Sequence, residues 1–459
     1  MMGITTLNRR SLTRWALTLS VLAVLGVTLL VPGSVQGHHR ADHEHGPRAG
    51  SEVPNQYIAM LTRGASADAV RRAHDVRSPK SYKAAFNGFA GEIPPGRLRA
   101  LQNDPRVEAV IPDRTMQGNP GRPGKPSKTT TTSNNEIVPE GVRRIGAAPT
   151  ANLGVTGAGV GVEVLDAGVD LKHTGLNVSA TCFDAFGGDY QDDSGHGTHV
   201  SGVIAARQNG IGVVGAAPGA TIYAVKVLDQ DTGGNDSHLL AGIDWVLTNA
   251  ERVSPAIRVA NFSLGRPGSV DDNPALRTSI QALIDAGIVV VVAAGNDPEI
   301  SSNVRVPAGF PEVITVASST AITGKNACAA TDTAVAVDTL SLFSSYAPKV
   351  GDVGVDITAP GERSENVGSS CIVDGVGILS LYPGDSLAEI ARTSMAAPLV
   401  SAVAALLIER NPGLSAEAVA AAIVKGASNA SSTPHPSVVD ATPLVGGILS
   451  ASGALAAIQ

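Results

Sequence analysis

The chain is predicted to be an α/β protein with a mainly parallel central sheet, helices on both faces, and a small α+β domain in front. Three observations predict this. After residue 137, runs rich in Val, Ile and Ala recur, too apolar throughout for a sheet with one wet face. Helical patterns fall between them, the sequence form of a strand–helix–strand series. Ahead of them, residues 51–117 carry strand and helix signals of their own. A Pro/Gly/Thr-rich segment at 118–136 separates the two.

At 459 residues, with 43% hydrophobic and 16% charged, the chain can build a large core and two or three domains. The net charge of −7 and the lack of a Lys/Arg-rich run argue against nucleic acid as an obligate partner.

Taken in order, residues 1–37 read as an export signal. Arg9, Arg10 and Arg14 precede an apolar run at 15–31, followed by Pro32, Gly33 and small residues around Val35-Gln36-Gly37. Left uncleaved, the run is long enough to anchor the chain in a membrane. Asn8-Arg9-Arg10-Ser11-Leu12 also has a loose twin-arginine form. Residues 38–50 hold His38, His39, His43 and His45 in a polar spacer, with metal binding as the other reading of such a tract.

In residues 51–117, strands are expected at 56–62, 83–93 and 107–113 and helices at 65–75 and 94–104, the second opened by proline. Residues 118–136 are a linker, too rich in Pro, Gly, Thr and Ser to form a core. In residues 137–459, strands are expected at 160–166, 221–228, 257–263, 287–296 and 312–318. Helices are expected at 237–251, 274–287 and 394–410. Gly154, Gly157, Gly159 and Gly161 precede the first of these strands. A dinucleotide loop must follow its strand and open a helix, so that reading is rejected.

The chemistry lies in four separate places. Asp166 ends an apolar strand. His196 stands between glycines in Gly195-His196-Gly197-Thr198-His199. Ser394 opens a helical run in Arg392-Thr393-Ser394-Met395, and Asn296 ends a strand after Ala-Ala-Gly. A serine nucleophile needs a base to take its proton and a carboxylate to orient that base. A helix N-terminus and a side-chain amide can hold the oxyanion that forms. The His196/His199 pair lacks the glutamate of a zinc-protease motif, so no metal is assigned to it.

These motifs, in the chain order Asp–His–Ser, are identified as those of the subtilisin-like serine proteases, from about residue 137 to the end. NGFAGEI and VEAVIPD resemble that family's propeptide. The resemblance implies a secreted serine endopeptidase working through an acyl-enzyme, with protein or peptide substrates. Ser394 is then the nucleophile, His196 the general base, Asp166 its orienter and Asn296 an oxyanion donor, and His199 is structural. It implies that the propeptide assists folding, then inhibits the enzyme until it is removed, and that the mature enzyme is a monomer. No cofactor is required for the chemistry. Structural calcium is frequent in the family, and Asp189, Asp192 and Asp193 form an acidic patch without a legible liganding spacing.

Ser263-Leu264-Gly265 resembles the segment that pairs with an extended substrate. Arg305 falls at the base of the pocket for the side chain before the cut, where glycine is frequent. A guanidinium there implies cleavage after Glu or Asp, with Glu136 as a self-processing site. Ala167, Arg266, Arg392 and Leu399 depart from the family pattern. Arg392, replacing a glycine beside the nucleophile, keeps a rival expectation open: a catalytically weak fold that binds peptides or a partner.

Three cysteines remain. Cys328 and Cys371 flank an insertion-like region and are placed to pair, leaving Cys182 free; three separate thiols is the other reading.

Overall fold

The computed structural model describes residues 48–118, 136–299, 301–330, 333–346, 354–428 and 446–459. The export signal, most of the histidine-rich spacer and nearly all of the expected linker lie outside the described residues.

The front domain is an antiparallel sheet with two helices. In chain order it runs β1 (Glu52–Leu61), α1 (Ala67–Ala73), β2 (Arg77–Tyr82), β3 (Gly88–Glu92), α2 (Pro95–Gln102) and β4 (Val107–Gln117). Ser66 caps α1 through the Ala69 amide, and Pro95 opens α2, where its missing N–H costs nothing. Ala59, Leu61, Val70, Phe89, Ile93 and Leu101 form its own small core. Three differences from the expected elements occur here. The strand read at 83–93 begins only at Gly88, because the Lys83 and Ala84 amides bind Asp244 instead. Strand β2 was not foreseen. β4 also runs four residues past its expected end: Arg114 pairs with Glu52 of β1, and the rest is extended for a reason outside its own domain.

That reason is β8 (Gly233–Asn235), a strand of the second domain. The sheet order is β2–β3–β1–β4–β8, so one sheet spans both domains. Thr115, Met116 and Gln117 pair antiparallel with Asn235, Gly234 and Gly233.

The second domain opens with α3 (Glu140–Arg144) and β5 (Gly161–Asp166). It continues through β6 (Phe183–Asp184), α4 (His196–Ala205), β7 (Thr221–Lys226), β8, α5 (Asp236–Asn249), β9 (Ile257–Phe262), β10 (Arg266–Pro267), α6 (Pro274–Asp285), β11 (Val289–Ala293) and β12 (Arg305–Val306). Then come β13 (Ile314–Thr320), β14 (Ile357–Glu362), the hairpins β15 (Ser364–Val367) with β16 (Val373–Val376) and β17 (Ile378–Tyr382) with β18 (Ser386–Ile390), and α7 (Thr393–Arg410), α8 (Ala416–Lys425) and α9 (Ala451–Ala457). The seven-stranded sheet has the order β14–β13–β11–β9–β5–β7–β6, and every pair in it is parallel. Each residue of β5 is buried. This is the two-sided burial that its apolar composition predicts.

Consecutive strand residues point to opposite faces. Gly242 of α5 sits against Leu165, while Gly197 of α4 sits against Asp166, so α4 and α5 cover opposite faces of the sheet. α7 packs on α4, and α6 on α5. Chain order reverses at β5, which lies between β7 and β9. The carboxyl ends of strands around such a switch form a ligand crevice. Asp166 ends β5, and Ser263 follows β9.

Cys328 and Cys371 form a disulfide that ties the β15–β16 hairpin to the loop after β13, and Cys182 is free. The long stretch at 362–390 is thus two antiparallel hairpins, not irregular loops.

Candidate active site

Asp166 is fully buried at the end of β5. One carboxylate oxygen accepts the Ala167 amide at 2.7 Å, which fixes its plane. His196 Nδ1 lies 2.8 and 2.9 Å from the two Asp166 oxygens. Burial lowers the imidazole pKa, but the charge and hydrogen bond of Asp166, with Asp192 behind, outweigh it; the net shift is upward from 6.5. Small residues permit this approach: a Cβ on Gly197 would lie 2.0 Å from the Gly168 carbonyl oxygen.

His196 begins α4 because Asp192 caps that turn. Its carboxylate accepts the amides of Ser194, Gly195 and Thr198 and the Thr198 hydroxyl. Sequence reasoning missed this role and grouped Asp192 with a calcium patch. The structure does not fit that use. Asp192 is spent on the cap, Asp193 pairs with Lys226, and Asp189 accepts the Gln191 amide. No group of three or more ligating side chains occurs among the described residues. His199 is a structural group: its Nε2 meets the Ile378 and Ala388 carbonyls, and burial lowers its pKa to about 3.

Ser394 is the second residue of α7, where unpaired backbone N–H groups and the helix dipole favour negative charge. A polar chain lies beneath it. Ser401 donates to Asn261, Asn261 to Ser263, and Ser263 to the Ser394 carbonyl. All are buried, so the Ser394 backbone is fixed from below. The helical spacing of Ser394 and Ser401 carried a hint of this; Asn261 looked like one more strand residue. The Ser394 Oγ donates to the Ser263 carbonyl at 3.3 Å, and His196 Nε2 has no hydrogen-bond partner among the described residues. Serine and histidine are therefore adjacent in fold but not hydrogen-bonded to each other here.

Asn296 Oδ1 accepts the Thr393 amide and hydroxyl at 2.8 and 2.9 Å. That leaves its Nδ2 donor available at the pocket it shares with Ser394. The same pocket is lined by Ser263, Leu264, Gly265 and Arg305. It thus gathers every predicted site residue except Asp166 and His196, which lie on the α4 side. Arg305 is 7% exposed, and its Nη1 donates to Asp297 at 2.5 Å. Arg392 is not part of the lining. Its guanidinium lies over the Phe343 ring, 5.5 Å from the centroid, and so does not crowd the pocket. Leu399 is fully buried packing.

The cleft already holds peptide: the chain's own. Gln117 and Gly265 exchange both backbone hydrogen bonds, 3.1 and 3.0 Å, and the Gly118 amide donates to the Thr232 carbonyl. On the far side, Asp113 accepts the Ser237 amide and hydroxyl at the start of α5, and Tyr82 donates to the Ser237 carbonyl.

Residues 157–442 match the model of the subtilase family, and residues 38–118 match that of the peptidase inhibitor I9 family. The chain is 32% identical over 371 residues to subtilisin E of Bacillus subtilis (strain 168), covering 79% of this chain and 82% of that protein. It is 33% identical over 325 residues to the M-protease of Shouchella clausii (strain KSM-K16), covering 71% and 70%. To a subtilisin of Bacillus pumilus it is 36% identical over 281 residues, covering 60% and 86%. With this fold and an inhibitor domain in front, the chain belongs to the subtilase family and is a serine endopeptidase.

Proposed function

We propose that this protease is exported as an inhibited precursor and activates itself by cutting behind its inhibitor domain. Ser394 Oγ attacks the substrate carbonyl, and His196 Nε2 takes its proton. Asp166, bonded to Nδ1, holds the tautomer and stabilises the imidazolium. Asn296 Nδ2 and the Ser394 amide stabilise the oxyanion. His196 then protonates the leaving amine, and water releases the acyl group by the same route in reverse. Substrate enters as an extended strand against Ser263–Gly265. The observation that carries this reading is the seating of Gln117 and Gly118 in that cleft, beside a buried Asp166–His196 pair.

The test is the mass spectrum of purified wild type beside Ser394→Ala. Wild type is expected to lose the front domain by a cut within the 118–136 segment, while the variant keeps it. Identical, uncut masses under the same handling would count against self-activation. The N-terminal signal and its charge order support export, so the mature enzyme works outside the cytoplasm. The chemistry requires no cofactor.

Arg305 at the pocket wall supports a preference for Glu or Asp before the cut. Asp297 already holds one of its nitrogens, so an acidic substrate side chain competes with that pair. A peptide panel should favour Glu and Asp in wild type and move toward large apolar residues in Arg305→Gly. A wild-type preference for Leu or Phe would end this reading.

A further inference from the structure

Arg266 has the largest of the fully buried side chains and is 0% exposed. All five of its N–H donors are used. Nε and one Nη2 hydrogen grip the two oxygens of Asp236, both at 2.8 Å. Nη1 and the other Nη2 hydrogen grip Asp272, both at 3.0 Å, and Nη1 also reaches the Pro267 carbonyl at 3.1 Å. Asn273 Nδ2 adds a bond to Asp236 at 2.7 Å, while its oxygen caps α6. Burial penalises the guanidinium charge, and the two carboxylates outweigh that, holding its pKa above the ordinary arginine value.

The position of this cluster matters more than its strength. A peptide in the cleft is held between two edges. One is β8, and Asp236 is the next residue after it. The other is Ser263–Gly265, and Arg266 is the next residue after that. The resident strand β4 bonds to both, through Gly233–Asn235 and through Gly265. The Arg266 backbone also pairs with Val306, on the short strand that carries Arg305. One guanidinium therefore links both walls of the cleft and the strand that bears the pocket arginine. The fold makes room for it: a Cβ on Gly268 would stand 2.4 Å from Arg266 Nη1 and 2.3 Å from an Asp272 oxygen.

We infer that Arg266 is a positioning residue for substrate: with Asp236 and Asp272 it clips the two edges of the cleft at the spacing an extended peptide needs. β8 has three residues and the segment Ser263–Gly265 lies beyond the end of β9, so neither edge is itself held by a long ladder. Strand addition requires hydrogen bonds on both sides at once, so a fixed gap lowers the ordering cost of binding. Lysine cannot take the place of Arg266, having three rotatable donors where the site uses five in a planar fork. The effect falls on residues well before the cut, which lie between the edges, and much less on the residue in the pocket.

This inference rests on the reading that substrate occupies the place of Met116–Gly118. The experiment compares two chromogenic anilides on the processed enzyme. Both end in the residue wild type prefers in the peptide panel. One is preceded by acetyl-Gly alone, the other by acetyl-Met-Gln-Gly. Wild type should cleave the longer substrate with the higher kcat/KM. In Arg266→Lys that length advantage should fall roughly tenfold, an order below the ~10²-fold cost of misplacing reacting atoms by 1 Å, and the loss should appear in KM. Asp272→Asn, at a partly exposed position, should show a smaller loss of the same kind and decides the matter if Arg266→Lys does not mature. An unchanged length advantage in the variants, or an equal loss on both substrates, would overturn the inference. Wild type that cleaves neither substrate would overturn the protease reading itself.

Discussion

At the scale of single residues, the charge state of His196 is decided by burial against its carboxylate neighbours. His196 is buried, which alone would keep it neutral, yet Asp166 at 2.8 Å reverses the sign and raises its pKa. In the proposed mechanism His196 must be neutral to take the Ser394 proton. The rate should therefore rise with pH as His196 deprotonates, with its midpoint above 6.5 in a plot of log kcat/KM against pH. Asp166→Asn removes the upward push, so the midpoint should fall below the wild-type value. The rate at the plateau should drop on the order of 10⁴-fold, as when the same change is made in trypsin-like triads. A midpoint that does not move would mean that another group limits the rate. The missing contact between His196 Nε2 and Ser394 Oγ belongs to the same account. Catalytic hydrogen bonds are often long before substrate arrives, and Ser394 here rests on the Ser263 carbonyl instead.

At the scale of elements, the central strands were legible because burial on both faces leaves only apolar residues, a signal that needs no partner to be read. Some buried strand residues break that rule, among them Lys226, Asn261 and Glu163. Glu163, in the middle of β5, is 0% exposed, and neither carboxyl oxygen has a hydrogen-bond partner among the described residues. Burial raises its pKa well above 4.5. A group with a raised folded pKa supplies stability below its unfolded value and loses it as pH rises through the folded value. Glu163→Leu, tested in the Ser394→Ala background to prevent self-digestion, should therefore stabilise the chain by about 1–3 kcal/mol near pH 5 and by more as pH rises. Urea midpoints across pH would show it; a variant that is less stable at every pH would mean that the carboxyl has a partner. The elements that were not legible share one property: their pairing partners are distant. Residues Thr115–Gln117 are extended because β8 meets them more than 115 residues later. The β15–β18 hairpins mix Ser, Gly and charged residues that only pairing and a disulfide make regular. Asp166, His196 and Ser394 stood out through local motifs, whereas the Asp192 cap and the Asp297 partner of Arg305 lie six and eight residues from the groups they hold and were missed because an aspartate in a loop announces no particular contact.

At the scale of the whole molecule, the front domain docks through backbone pairing in the cleft and through a polar contact on α5. Asp113, 2% exposed, supplies that contact by accepting the Ser237 amide and hydroxyl at 3.0 and 2.6 Å. The dipole at a helix N-terminus favours a carboxylate there. Desolvation works against it more strongly, and the nearby Asp236 adds to that, so the Asp113 pKa rises from 3.8 to about 6 despite the two hydrogen bonds. The sign follows from the raised value. Docking gains from this group below pH 3.8 and loses that gain as pH rises to about 6, beyond which the contribution is flat. At about 1.4 kcal/mol per unit, the change is on the order of 2–3 kcal/mol. Lys80 and His238 sit near the same contact, with pKa values lowered chiefly by burial, and His238 pulls the other way as pH falls. A variant that does not titrate isolates Asp113 from them. In full-length Ser394→Ala protein, where the front domain stays attached, Asp113→Asn should become more stable relative to Asp113 as pH rises from about 4 to 6, and the difference should then level off. Paired urea titrations measure this directly. A difference that does not vary with pH would mean that Asp113 remains ionised in the docked state, and that the α5 N-terminus compensates fully for its burial.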